Sequence, residues 1–221
     1  MLPVCSETVQ PASVVRDLGV LLDAQLTMKQ HINKVTAGCY YQLRRLRQIR
    51  RRVGTEVTTQ LVLALVTSRL DYCNSVLAAL LQSTIEPLLR VQNSAAPLIF
   101  NLGKREHVSP CLIQLYWLPI RYRITYKLCT LMHNVHIGKS PRYLADIVQP
   151  TSSSVTRSGL RSLSKTDSYT TPRLRTKFGE WAFSFSGPAS WNYTLLHTIF
   201  DTSVFKNKLK TYLFRMAFNI Q

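Results

Sequence analysis

Between Met28 and Val53, apolar residues recur in steps of three and four: Met28, Ile32, Val35, Cys39, Leu43, Leu46, Ile49 and Val53. That spacing keeps them on one side of a helix, so a long amphipathic helix is predicted from about Leu26 onward. Gly54 follows as a C′ residue able to take the left-handed backbone that ends helices. Six arginines crowd into positions 44–52. With Leu43 at zero and about 100° per residue, Leu46 and Ile49 share one arc. Arg44, Arg45, Arg47, Arg51 and Arg52 spread over the opposite side, and Arg50 stands on the border. Arginines near a helix C-terminus gain at most about 1 kcal/mol from the macrodipole, which is too little to require six. Such a helix needs a core on one side and, on the other, water or an anion.

The second possibility is favoured by the charge balance. Among 221 residues, 28 Lys and Arg stand against 11 Asp and Glu, a formal net charge of +17. A surface of this sign attracts polyanions, nucleic acid first and anionic membrane second. The 46% hydrophobic content is enough for a sizeable core. Five cysteines, an odd number with no C-x-x-C pair and no signal peptide before them, predict a reducing interior, nucleus or cytoplasm, rather than secretion. The longest apolar run, LVLALV at 61–66, falls far short of the roughly 20 residues that span a bilayer.

Along the rest of the chain the pattern is mostly helical. Residues 1–22 read as strand, turn, strand, with the β-branched run VVRDLGVLL at 14–22. A second helical stretch starts at Thr55, and its all-round apolar run at 61–66 is expected to be the most buried segment. Ser83 and Glu86 have the spacing of a capping box, opening a helix through about Leu102, in which Pro97 predicts a kink or break. Ser109-Pro110 and Ser140-Pro141 each have the form of an N-cap followed by Pro at the first helical position. Between them, Ile120, Ile124, Leu128, Leu131 and Val135 form the stripe of another helix. Residues 151–172 shift to Ser, Thr and basic residues, the composition of a linker. A strand is expected at WAFSFSG, 181–187, and a helix from about Thr202 with Phe205, Leu209, Tyr212, Leu213 and Met216 on one face. The predicted fold class is mainly α: a helical bundle with a short N-terminal β-hairpin and a small strand-plus-helix tail.

Motifs that carry catalysis are missing. The eleven acids are dispersed with no D-D pair, whereas two-metal chemistry needs carboxylates close enough to share ions. There is no phosphate-binding G-x-x-x-x-G-K-[ST] loop and no G-x-S-x-G elbow. Cys129, His133 and His136 share a helix face and could supply three metal ligands, but no fourth is near, and helix packing explains them better. In RYRITYK, Arg121, Arg123 and Lys127 alternate with Tyr122 and Tyr126, a pattern that suits stacking on single-stranded bases or plain packing on a neighbouring helix. RSGLRSLSK and PRLRTK are either flexible phosphate contacts or solubilising charge. Trp117, Trp181 and Trp191 read as packing residues.

Six stretches in order, DLGVLLDAQLTMKQHI, LDYCNSVLAALL, RVQNSAAPLIF, LYWLPIRYRITYKL, GKSPRYLADIV and PRLRTKFGEWAFSFSGPASWN with FKNKLKTYLF, resemble the C-terminal part of a reverse transcriptase. The family is that of non-LTR, LINE-type retrotransposons of the chicken-repeat and Jockey-like groups. The resemblance implies palm-edge strands at 1–22, a thumb-like helical bundle at 23–105, further helices at 106–150, a linker at 151–172 and a C-terminal tail at 173–221. It also implies that the palm core, with its Mg²⁺-binding Y/F-x-D-D element, lies upstream of residue 1, so that this chain holds no catalytic residue, needs no cofactor and is not itself an enzyme. Its partners would be an RNA or DNA backbone and the missing palm and fingers. One departure stands out: Pro97 occupies the place of the arginine in the family's A-A-R-L. The expected function is binding of nucleic acid without sequence preference through Arg44, Arg45, Arg47, Arg51, Arg52, Arg121, Arg123 and Lys127. The alternative is a basic amphipathic protein that binds a protein partner or an anionic membrane surface.

Overall fold

The computed structural model describes residues 2–4, 7–9, 12–103, 106–151, 168–194 and 196–220. Two antiparallel hairpins open the chain. Strands β1 (Leu2–Val4) and β2 (Glu7–Val9) form the first, β3 (Val14–Asp17) and β4 (Val20–Asp23) the second. The run predicted as one strand at 14–22 is therefore split. Leu18 and Gly19 take positive φ, 44° and 85°, which is the two-residue turn whose twist matches the strands it joins.

Asp23 organises the passage into the first helix. Its carboxylate accepts from the amides of Gln25 (3.1 Å) and Thr27 (2.9 Å) and from the Thr27 hydroxyl (2.8 Å). These bonds, led by the Thr27 amide, hold its pKa below the usual value against the opposing effect of burial.

Helix α1 (Lys29–Val62) follows, with Ile32, Cys39, Leu43 and Leu46 of the predicted stripe buried, together with His31, which the stripe did not include. Val35 and Val53 are half-buried, and Ile49, expected to anchor the helix, is exposed. As expected, the regular helix is interrupted at Gly54, which takes positive φ and separates two helical stretches, 29–53 and 55–62. At φ 76°, ψ −179° it bends the helix, and helical turns resume at once. Only glycine enters that backbone region without strain, and the Thr58 hydroxyl donates back to the Gly54 carbonyl across the bend. The run at 61–66 is less buried than expected: Val62 and Val66 are inside, but Leu63 and Ala64 face out as the backbone loosens into a π-helical turn, Leu63–Thr67. A short α2 (Ser68–Asp71) ends where Tyr72 turns extended and Cys73 left-handed, earlier than the sequence pattern suggests.

Helix α3 (Gln82–Phe100) carries a second correction. Pro97 lies within it and the helix continues for another turn. Ser83 sits inside the first turn and caps nothing, since Leu81 is the N-cap. The C-terminal end explains why the helix survives Pro97. Asn101 is left-handed, its amide donates to Leu98 O (3.3 Å), and the Leu102 amide donates to Pro97 O (2.9 Å), a Schellman closure. Arg50 then reaches across from α1: Nε donates to Leu98 O (3.0 Å) and Nη2 to Ile99 O (2.8 Å). The carbonyls of Pro97, Leu98 and Ile99 are thus all satisfied.

Helix α4 (Val108–Gln114) has His107 as N-cap, which puts Pro110 at the third helical position rather than the first. Helix α5 (Ile120–His136) is the partition of the molecule. Ile120, Ile124 and Leu128 join the core built by α1 and α3, while Cys129 and Met132 join a second core with Trp191, Phe205, Leu209 and Leu213. The short α6 (Arg142–Ala145) starts after Pro141, which is its N-cap, so Ser140 is not. The Ser/Thr-rich segment falls mostly outside the described residues, and RSGLRSLSK with it. Its ends are tied, with Pro150 bridged to Tyr169 and the Thr151 amide donating to Ser168 O (2.9 Å).

The strand predicted at 181–187 is instead the end of a 3₁₀ turn (Lys177–Trp181) running into helix α7 (Phe183–Asn192). Alternating aromatics suggested a strand, but Gly187 and Pro188 are buried in the helix–helix contact, where small volume counts more than β-propensity. Gly187 has no room for a Cβ, which would lie 2.9 Å from the Met132 sulfur. Helix α8 (Thr202–Phe218) closes the chain, capped by Asp201, whose carboxylate accepts from the Val204 amide (2.7 Å).

Because Arg50 supplies two charged donors to the end of α3, Arg50→Met should lower stability by about 2–3 kcal/mol. Arg44→Met, on the exposed row, should stay within about 0.5 kcal/mol. Urea midpoints at unchanged m-value measure both. Equal midpoints for the two variants would show that Arg50 does not hold α3.

Candidate nucleic-acid interface

Helices α1 and α3 pack along each other, and a groove of about 650 Å³ runs beside their seam. The α1 wall is Tyr40, Arg44, Arg47 and Arg51; the α3 wall includes Asn93, Ser94 and Asn101. Arg44, Arg47 and Arg51 recur at steps of three and four, so they stand in one row spanning about 10 Å of helix axis. All three are exposed. Among the described residues none of them forms an ion pair; the only pairs there are Arg90–Glu86 (3.4 Å) and Arg123–Asp71 (2.7 Å). One acid, Glu106, borders the groove, and its carboxylate accepts from the Gly103 amide (3.4 Å).

The remaining predicted residues are distributed differently. Arg45 and Arg52 are exposed but outside the groove lining, and the Arg45 guanidinium lies 5.7 Å from the centre of the Tyr41 ring. Arg121 and Lys127 are exposed on α5 about 120° apart around the helix, so they do not form one face with each other. Arg121 borders a cavity beside Gln82 and Ile85, at the opposite end of α3 from the arginine groove. Arg123 belongs to the fold. Its side chain is 14% exposed, Nη1 donates to Asp71 Oδ2 at 2.7 Å, and Nε donates to Leu118 O at 2.8 Å. The structure thus gathers three of the eight candidates into one groove and commits a fourth to an internal ion pair. Tyr122 and Tyr126 pack against the second core, as the packing alternative has it. Burial pushes the Tyr126 phenol pKa up.

Sequence reading missed the far wall. Asn93 and Ser94 follow Gln92 between the apolar residues Val91 and Ala95, and Gln92 is buried while Asn93 and Ser94 are half-buried, so their composition alone did not mark the groove. Arg50, at the border of the helical wheel, turned inward to α3.

Cys129, His133 and His136 are packing residues. The Cys129 thiol is pushed up to about 12 by burial and donates to Ser190 O (3.5 Å), so it offers no thiolate at neutral pH. His133 stacks on Phe205, with centroids 4.0 Å apart, and its Nε2 lies 2.8 Å from Ile199 O. A carbonyl only accepts, so Nε2 carries the proton; Nδ1 is buried and has no partner in the described structure. His136 packs on Trp191 at 5.3 Å. Among the described residues no three His, Cys, Asp or Glu side chains are placed to hold a metal ion. No helix there is long and apolar enough to cross a membrane. Comparisons with protein-family models, with curated proteins and with solved structures find no match to this chain.

Burial lowers the pKa of His133, and burial followed by the charge of Lys34 lowers that of His31. Both groups stay neutral in the fold below the unfolded value of about 6.5, where the unfolded chain takes up protons. Stability is therefore full above about pH 6.5 and declines as the pH falls below it. Thermal midpoints should drop between about pH 7.5 and 5.5, and His133→Phe should flatten part of the drop. A midpoint constant over that range contradicts the assignment.

Proposed function

We propose that this chain is the thumb-and-tail portion of a LINE-type reverse transcriptase and binds RNA or DNA backbone without sequence preference. The observation that carries the reading is the row of Arg44, Arg47 and Arg51, three exposed guanidiniums in one groove with no ion-pair partner among the described residues. Guanidinium is planar, permanently charged and forked, so it pairs with phosphate through two donors at once. The net charge of +17 supplies the long-range attraction that brings a polyanion to such a surface.

The membrane alternative is weaker for a physical reason. An amphipathic helix inserts through its apolar face, and on α1 that face, Cys39, Leu43 and Leu46, is consumed in the core. Arg45 and Arg52 extend the positive field of the groove without lining it. Arg121 and Lys127 add charge on α5, and Arg123 contributes none that is free. The family origin rests on the six ordered stretches and on helical architecture, and an in-frame Y/F-x-D-D codon run in the DNA upstream of this coding sequence is its direct test.

Filter binding to RNA and to duplex DNA of equal length should show log K falling with log salt with a slope of several units. Arg44, Arg47 and Arg51 changed together to Gln should reduce that slope by about two to three, with helical circular dichroism retained. A flat salt response, or a triple variant that binds as the parent does, removes this reading.

A further inference from the structure

A second cationic cavity opens nearer the start of α1, on a different part of the helix from the arginine groove. It is open to solvent and offers about 420 Å³, within the size range of small-molecule sites. His31 and Lys34 from α1, Arg69 from α2, and Gly19 and Tyr72 border it, and none of its lining residues is acidic. Among the described residues neither Lys34 nor Arg69 forms an ion pair.

The cavity is built rather than incidental. His31 is 6% exposed, and its Nδ1 accepts from the Leu21 amide (3.4 Å), which leaves the proton of the neutral ring on Nε2. Arg69 is seated against α1 at Gly38: its Nη1 is 3.2 Å from where a Cβ at that position would lie. Glycine inside a helix is unfavourable relative to alanine, and here its missing side chain leaves room for the guanidinium. Tyr72 closes one wall, with its hydroxyl donating to Leu18 O (2.6 Å) and its ring against Gly19.

We propose that this cavity binds a dianionic phosphate group, free or as the phosphomonoester of a small molecule. Lys34 and Arg69 bring two positive charges and His31 a neutral N–H. A phosphomonoester carries about −1.5 to −2 at neutral pH and matches that pair, whereas a phosphodiester, with one charge, leaves it half compensated. The inference does not depend on the nucleic-acid reading, since it uses none of the groove arginines.

Isothermal titration of the whole chain with inorganic phosphate tests it, using Lys34→Gln, Arg69→Gln and Gly38→Ala beside the parent. Saturable binding to one site is expected, weakened at least about tenfold by Lys34→Gln or Arg69→Gln through loss of a charged donor. Gly38→Ala should weaken it as well, with helical circular dichroism kept. The Arg44/Arg47/Arg51→Gln triple variant should bind phosphate as the parent does. A nucleoside 5′-monophosphate should compete and the bare nucleoside should not. A monophosphate tighter than inorganic phosphate assigns the cavity to a phosphomonoester, and equal affinities assign it to free phosphate. No saturable binding up to about 10 mM, or binding retained by both Lys34→Gln and Arg69→Gln, overturns the proposal.

Discussion

The seam between α1 and α3 is the contact on which the rest of the molecule depends. α1 has to bury Cys39, Leu43 and Leu46 while leaving a crowded set of guanidiniums in water. α3 meets it with a buried face that includes Val91, Ala95, Leu98 and Ile99, and two alanines at 95 and 96 reduce bulk in that surface. Hydrophobic burial brings the helices together without specifying direction. Arg50 adds direction, because its fork bonds the last carbonyls of α3 and thereby sets where that helix ends. One arginine spent inward shapes the wall against which three others stand outward.

The C-terminal half is attached through a single two-sided helix. α5 gives Ile120, Ile124 and Leu128 to one core and Cys129 and Met132 to the other. The second core is aromatic, centred on a fully buried Trp191 with His133, His136, His197 and Phe205 around it. Asn192 then ties in the distant Tyr169, donating Nδ2 to Tyr169 O (2.7 Å) and accepting from its amide (3.0 Å), as a neighbouring strand would. These histidines are held in ring–ring contacts, and the residues with metal-ligand spacing are used in packing.

A protein with +17 net charge, and with only two ion pairs among its described residues, repels itself, and folding proceeds because the cores outweigh that repulsion. The cations are grouped rather than evenly spread. One row faces the α1–α3 groove, and a separate pair, Lys34 and Arg69, borders the second cavity, with Arg69 seated against Gly38. Bringing like charges together costs free energy in the absence of a ligand and returns it when an anion arrives, so such groupings are where anionic partners gain most.

Much of the helical plan was legible in single residues. The three- and four-step recurrence of Ile32, Cys39, Leu43 and Leu46 is a local property, and period alone predicts which side is buried. The same holds for Phe205, Leu209 and Leu213 on α8. Local rules misread Pro97, because the closure at Asn101 and Leu102 and the bonds from Arg50 stabilise that end by means absent from the pattern. They misread WAFSFSG, where alternation suggested a strand and a close helix contact at Gly187 made a helix. By itself the sequence determined the amphipathic helices, the excess of positive charge and the arginine row, since these follow from spacing and composition. Only tertiary structure decided which arginine turns inward, that Arg123 pairs with Asp71, and that His31, Lys34 and Arg69 share a cavity. Those outcomes depend on through-space contacts between residues tens of positions apart, and no local periodicity encodes them.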